Sequence, residues 1–140
     1  MSVAPELDDF TKVYDAGAPQ VVSTTLVADL ETPVSAMLKL ADGLPNSFLL
    51  ESVEGGAVRG RYSIIGLKPD IIWRCHGDVA EINREARHDA DAFEICPQGA
   101  LDALRSLVAE SCIENMPEDL PPMAAGVVGY MSYDMVRLME

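Results

Sequence analysis

Residues 48–66 read FLLESVEGGAVRGRYSIIG. One apolar run ends in Glu51-Ser52, a second opens with Arg61-Tyr62-Ser63, and eight residues containing three glycines join them. Short apolar and β-branched runs bounded by glycine are strand signals. Paired as antiparallel neighbours, the two runs bring the Glu51 carboxylate, the Ser52 hydroxyl and the Arg61 guanidinium to one end of a sheet. Such a trio suits a zwitterion: the acid accepts from an ammonium group, the planar fork donates to a carboxylate, and the hydroxyl does either. From the residues alone the commoner arrangement is a plain cross-strand ion pair, worth less than about 1 kcal/mol when exposed.

Upstream of this pair, Thr32-Pro33 starts a helix over residues 33–41. The threonine hydroxyl accepts from a free amide, and proline in the first turn forfeits no hydrogen bond. Val34, Met37, Leu38 and Ala41 fall on one face of it. Residues 21–28 (VVSTTLVA) read as a strand, and residues 5–15 as a helix with Leu7, Phe10 and Tyr14 at helical spacing and Gly17 as its stop.

Downstream, residues 70–76 and 79–83 form a hairpin about Gly77-Asp78. Residues 84–91 are polar and read as a mobile connection. Residues 98–112 form a helix with Leu101, Leu104, Val108 and Cys112 in one stripe. Residues 115–122 (NMPEDLPP) form a loop, 123–133 (MAAGVVGYMSY) a buried strand, and 134–140 the opening of a helix. That last stretch has no cap or polar tail, so the expectation is a piece of a longer protein. Strands and helices without βαβ alternation predict an α+β fold: a largely antiparallel sheet with flanking helices, in one domain over residues 1–140.

Composition narrows the chemistry. The 140 residues are 49% hydrophobic and 24% charged, with 23 acids against 10 bases and a formal net charge of −13. That balance argues against nucleic acid, which is held by Lys and Arg. No apolar stretch is long enough to span a bilayer, and the acidic start MSVAPELDDF is unlike a signal peptide, so a cytoplasmic protein without membrane contact is expected. Charge is unevenly placed. Residues 55–77 carry Arg59, Arg61, Lys68 and Arg74 against Asp70 alone, a basic island able to attract a small anion or simply to face solvent.

Cys75, Cys96 and Cys112 are odd in number and widely spaced, which predicts reduced thiols and neither a disulfide framework nor a zinc site. There is no P-loop, no Gly-x-Ser-x-Gly elbow and no recognisable nucleophile–base pair about His76 or His88. Acids such as Asp8-Asp9 and Glu118-Asp119 sit where solvated carboxylates are the rule. The residues alone therefore describe a binding or structural module with no catalytic or metal-ligating residue.

LLES at residues 49–52 with RYSIIG at residues 61–66 resembles the amino-terminal signature of the anthranilate synthase component I family. GVVGYMSYDMVRLME at residues 126–140 is similar to that family's glycine-rich strand leading into a Tyr-Asp-x-Val-Arg helix, and Thr24-Thr25 ahead of Thr32-Pro33 fits its opening. The resemblance runs from about residue 10 onward; residues 84–122 contribute little beyond length.

The resemblance implies a fragment of a larger, two-layered chorismate-utilising enzyme. In this family the large subunit uses magnesium to convert chorismate to anthranilate and pyruvate. Ammonia arrives from a glutamine amidotransferase subunit, and tryptophan inhibits. The chorismate and magnesium residues belong to a carboxyl-terminal domain absent from these 140 residues, so the fragment alone is expected to be inactive. What carries over is part of a tryptophan effector site: Ser52 of the LLES motif, its neighbours Leu50 and Glu51, and Arg61, which opens the second strand. Two alternatives stay open: the large subunit of aminodeoxychorismate synthase, from folate synthesis, and an acidic interaction domain without a small ligand.

Overall fold

Every strand pairing in the computed structural model is antiparallel, which agrees with the α+β expectation. Residues 3–51, 62–114, 116–121 and 123–140 are described. Among the described residues the strands fall into three small sheets, two of two strands and one of three, where the sequence suggests one larger sheet. By its contacts the chain divides into two compact units, Met1–Asp29 with Leu107–Tyr130, and Leu30–Ser106 with Met131–Glu140.

In the first unit, β1 (Val3–Ala4) pairs with β2 (Ser23–Thr24). Between them lies α1 (Leu7–Asp15), with Asp8 and Asp9 in its first turn, where the helix dipole favours negative charge. Lys12 reaches back to Asp9 at 2.8 Å and holds that carboxyl below the usual range, chiefly through the hydrogen bond itself. Gly17, at φ +67°, ends the helix in the left-handed region that glycine alone enters freely. The Phe10 and Tyr14 rings stack at 5.6 Å, and the Gln20 amide donates to the Phe10 carbonyl at 3.0 Å. Of the strand expected over residues 21–28 only Ser23–Thr24 forms. Leu26 and Val27 have no ladder partner among the described residues and stay 62% and 88% exposed.

The second unit opens with α2 (Pro33–Ala41), whose bounds match the sequence reading. Thr32 accepts from the Ser35 amide at 3.0 Å, and the Ser35 hydroxyl accepts from the Thr32 amide at 2.9 Å, a reciprocal capping box. Glu31 takes the Ser35 hydroxyl and the Lys39 ammonium, and its carboxyl is lowered by those partners, Lys39 first. Only Ala41 of the apolar stripe is buried; Val34 and Leu38 are half exposed. Helix α2 packs on the hairpin of β3 (Phe48–Glu51) and β4 (Ser63–Gly66).

The three-stranded sheet runs β5 (Ile72–His76), β6 (Val79–Asn83), β7 (Glu94–Gly99) in that order. The expected hairpin about Gly77-Asp78 is present, with Cys75 opposite Ala80. Strand β7 was not foreseen, because Pro97 interrupts it. The ladder accommodates proline at a bulge: between the pairs Glu81↔Ile95 and Val79↔Gly99, three residues including Pro97 face Ala80 alone, so its missing N–H breaks no bond. Helix α3 (Ala100–Glu110) therefore starts two residues later than the sequence suggested.

Alanines make the packed centre. Ala80, Ala100 and Ala103 are buried together, with Trp73, Cys75, Cys96 and Leu138 against them. Met135, from the 3-10 turn Tyr133–Leu138, is also buried, and its thioether accepts from the Cys75 thiol at 3.5 Å. All three cysteines are free. Asp78, in the β5–β6 turn, accepts from the Ala100 amide at 2.8 Å and so caps α3 from across the sheet.

The connection after β6, read from sequence as mobile, contains a hydrogen-bonded turn. Asn83 is fully buried; it donates to the Asp89 carbonyl and accepts from the Glu85 amide, both at 2.8 Å. The His88 and Asp89 amides close the turn onto the Glu85 carbonyl. The strand expected over residues 123–133 does not form. Met123 to Ala125 turn, the residues after them have no ladder partner among the described residues, and the chain continues into the 3-10 turn. An extended segment without a neighbour leaves its backbone groups to water, so nothing selects the strand.

Candidate functional site

Four direct pairs define the β3–β4 hairpin: Phe48↔Gly66, Leu49↔Ile65, Leu50↔Ile64 and Glu51↔Ser63. The antiparallel pairing inferred for the LLES and RYSIIG runs is thus observed over Phe48–Glu51 and Ser63–Gly66, with Glu51 and Ser63 at the end where the chain connects the two strands. Side chains alternate across a strand, so Leu50 shares a face with Phe48 and Ile64, while Glu51 shares the other with Leu49 and Ser63. Leu50 is 46% exposed, and Glu51 and Ser63 are exposed. Ser52 and Arg61 lie outside the described residues, so of the four predicted site residues the structure positions Leu50 and Glu51. Those two point to opposite faces, so a single small ligand touches both only by reaching around the strand end.

The other end of the hairpin explains a motif residue. A Cβ built on Gly66 would lie 2.1 Å from Cε1 and 2.3 Å from Cζ of Phe48, so the ring fills the space above the glycine. The last residue of RYSIIG is therefore a seat for the Phe48 ring, and this contact helps to set the register that aligns Glu51 with Ser63.

Two recesses lie elsewhere in the second unit. One, of about 490 Å³, opens beside the first turns of α3, with Asp78, Asp102, Arg105 and Arg137 at its rim. Asp78 is engaged as the cap and Arg105 pairs with Asp102 at 2.7 Å, so much of its charge is already matched. The other, of about 200 Å³, is bounded by Asp70, Arg84, Glu85, Arg87 and His88, again carrying both signs. Neither is lined by Leu50 or Glu51. The capping role of Asp78 had a signal in the Gly77-Asp78 dipeptide, but its partner twenty-two residues on did not.

The basic island is also clearer. Arg74 pairs with Glu81 at 2.8 Å and lies 3.7 Å over the Phe93 ring, so its charge is engaged within the sheet. Arg59 and Arg61 fall outside the described residues. Among the described residues, no three His, Cys, Asp or Glu side chains converge on a metal position, and no helix is long and apolar enough to cross a membrane.

No protein-family model matches the chain, and no solved structure matches it. Similar sequences are nevertheless plain. The anthranilate synthase component 1 of Cereibacter sphaeroides is 56% identical over 133 residues, covering 95% of this chain and 26% of that protein. The protein of the same name from Synechocystis is 37% identical over 139 residues, covering 99% and 26%. That of Thermus thermophilus is 45% identical over 116 residues, covering 83% and 23%. The chain spans about a quarter of the length of the curated relatives it matches, in their amino-terminal region.

Proposed function

Because this chain belongs to the anthranilate synthase component 1 family, we propose that it supplies part of the site through which tryptophan regulates that enzyme. In this reading the whole protein converts chorismate and glutamine-derived ammonia to anthranilate and pyruvate, with a glutamine amidotransferase subunit as its partner. The relatives named above all carry the anthranilate synthase name, which favours that product over aminodeoxychorismate. The observation that carries the effector reading is the β3–β4 register, which sets the end of the LLES strand against the start of the RYSIIG strand, Glu51 beside Ser63.

The chemistry follows from what an amino-acid effector presents. Its ammonium needs a carboxylate, and Glu51 is exposed at the strand end. Its carboxylate needs a planar donor, the role assigned to Arg61; the Ser52 hydroxyl completes the polar contacts. Leu50, on the other face, offers apolar surface at the rim. A concave pocket surrounds most of its ligand, and one end of a two-stranded hairpin is only part of one. The remaining contacts come from the rest of the family protein, and the 140 residues alone bind tryptophan weakly and turn nothing over. The family's magnesium has no fitting set of ligands among the described residues, so no step is assigned to a metal here.

The test is a chimera in which this chain replaces the matching quarter of the Cereibacter sphaeroides protein, assayed with its amidotransferase. Ser52→Ala and Arg61→Ala should each raise the tryptophan concentration for half-inhibition by about tenfold or more while turnover stays near the parent value. Calorimetric titration with tryptophan and with chorismate should show the first weakened and the second unchanged. Parallel loss of inhibition and turnover would sink the effector reading.

A further inference from the structure

Two sulfurs from distant parts of the chain meet at the packed centre. Cys75 lies in β5 and Met135 in the 3-10 turn Tyr133–Leu138, and the thiol reaches the thioether at 3.5 Å. Met135 is buried and Cys75 half-buried. The cluster on which Cys75 packs, Ala80, Ala100 and Ala103 with Trp73, Cys96 and Leu138, contributes no charged side chain. Neither Cys96 nor Cys112 has a hydrogen bond to another sulfur among the described residues. The Cys75–Met135 pair is therefore distinct from the other two thiols.

A thiol is a weak donor and a thioether a weak acceptor, so the proton between them is held loosely. The same two groups are the soft donors that select Cu(I) over harder ions. Bonds of about 2.3 Å, the length of zinc–thiolate bonds, let sulfurs 3.5 Å apart reach one ion together. Charge then chooses the ion. A thiolate with a monovalent cation sums to zero, which an apolar surrounding accepts, whereas a divalent cation leaves a net positive charge without a partner. We infer that Cys75 and Met135 form a site for a soft monovalent metal ion, with Cu(I) as its occupant. On binding, the Cys75 S–H bond breaks, the proton leaves to water and a metal–sulfur bond forms, with no electron transferred. The site uses none of the residues of the tryptophan reading and is independent of it.

The test titrates the reduced chain, without oxygen, with Cu(I) supplied as its bicinchoninate complex. A background of Cys96→Ser with Cys112→Ser removes the other thiols and should still take up one ion per chain. Trp73, the sole tryptophan, lies two residues from Cys75 on the same face of β5, so its fluorescence should fall as the ion binds. Cys75→Ser in that background should abolish transfer from the chelator. Met135→Leu keeps the volume of the core and should weaken binding at least about tenfold, the loss that follows even from removing an outer partner of a metal ligand.

Far-UV spectra separate loss of the ion from loss of the fold, and should Cys75→Ser not fold, Met135→Leu decides alone. Silver(I), a soft monovalent ion that is not easily oxidised, should compete for the same single site, and zinc should not. Equal affinity in Met135→Leu and the parent would reduce the site to an ordinary thiol and overturn the inference. So would uptake that persists without Cys75, uptake that disappears with Cys96 and Cys112, or zinc displacing Cu(I) at equal concentration.

Discussion

With the Phe48 ring lying where a Gly66 side chain would be, alanine at that position must push the ring off the strand or slide β3 against β4. Overpacking of this kind costs about 1–3 kcal/mol, and urea denaturation of Gly66→Ala should show that loss. A Gly66→Ala variant as stable as the parent would mean that the ring moves freely and does not set the register. Asn83 presents the opposite case, a polar side chain with no exposure and both ends bonded within the chain. Removing it leaves the Glu85 amide and the Asp89 carbonyl without their partner, at about 1–3 kcal/mol. Asn83→Ala should therefore loosen the turn, read as faster tryptic cleavage after Arg84 and Arg87. Cleavage at the parent rate would show that the turn stands without its asparagine.

Helix α2 is where local chemistry speaks most plainly. Its start was legible because the cap and the proline act on their own neighbours, and Thr32→Ala should cost about 0.5–2 kcal/mol in urea denaturation. Glu31 adds a pH dependence to the same helix. Its carboxyl is held below the ordinary glutamate range, first by Lys39 and then by Ser35. A group depressed in the folded state contributes stability that is fully present above its unfolded value and lost as pH falls through the folded one. Glu31→Gln should thus be less stable than the parent near neutrality and equal to it well below the glutamate range; an unchanging difference would rule out the ionised contact. The β5–β6 hairpin was legible for the same local reason, a turn dipeptide between two short runs. Strand β7 was not, because Pro97 is tolerated only through a bulge that involves β6, and neither was the reach of Asp78 to α3. Residues 123–133 misled in the other direction. Composition records a strand's preference but not whether a neighbouring strand is there to pair with it. At the candidate site the pairing of LLES with RYSIIG was readable from the two runs and the glycines between them, whereas the opposite facing of Leu50 and Glu51 depends on the alternation along β3.

For the whole chain, the balance between apolar surface and charge decides behaviour in solution. The buried hydrophobic residues among those described are Ala41, Ala80, Ala100, Ala103, Leu107 and Met135, so small side chains dominate the interior. Leu30, Tyr130, Tyr133 and Val27, each 88% exposed or more, offer water the larger surfaces. Burial contributes roughly 25 cal/mol per Å² of apolar surface, so an alanine-rich interior yields little, and the exposed residues remain a standing drive to associate. Opposing that drive is the net charge of −13, which keeps copies apart at neutral pH. The charge vanishes near the isoelectric point of about 4.3. Light scattering should therefore stay low near neutrality and rise steeply as pH approaches that value. Added salt at neutral pH should act in the same direction, because about 0.1 M already shortens the reach of surface charge to roughly 10 Å. Scattering that stays flat through the isoelectric point would mean that the exposed leucines, valines and tyrosines are covered in solution, and that the apolar surface of the isolated chain is smaller than its structure shows.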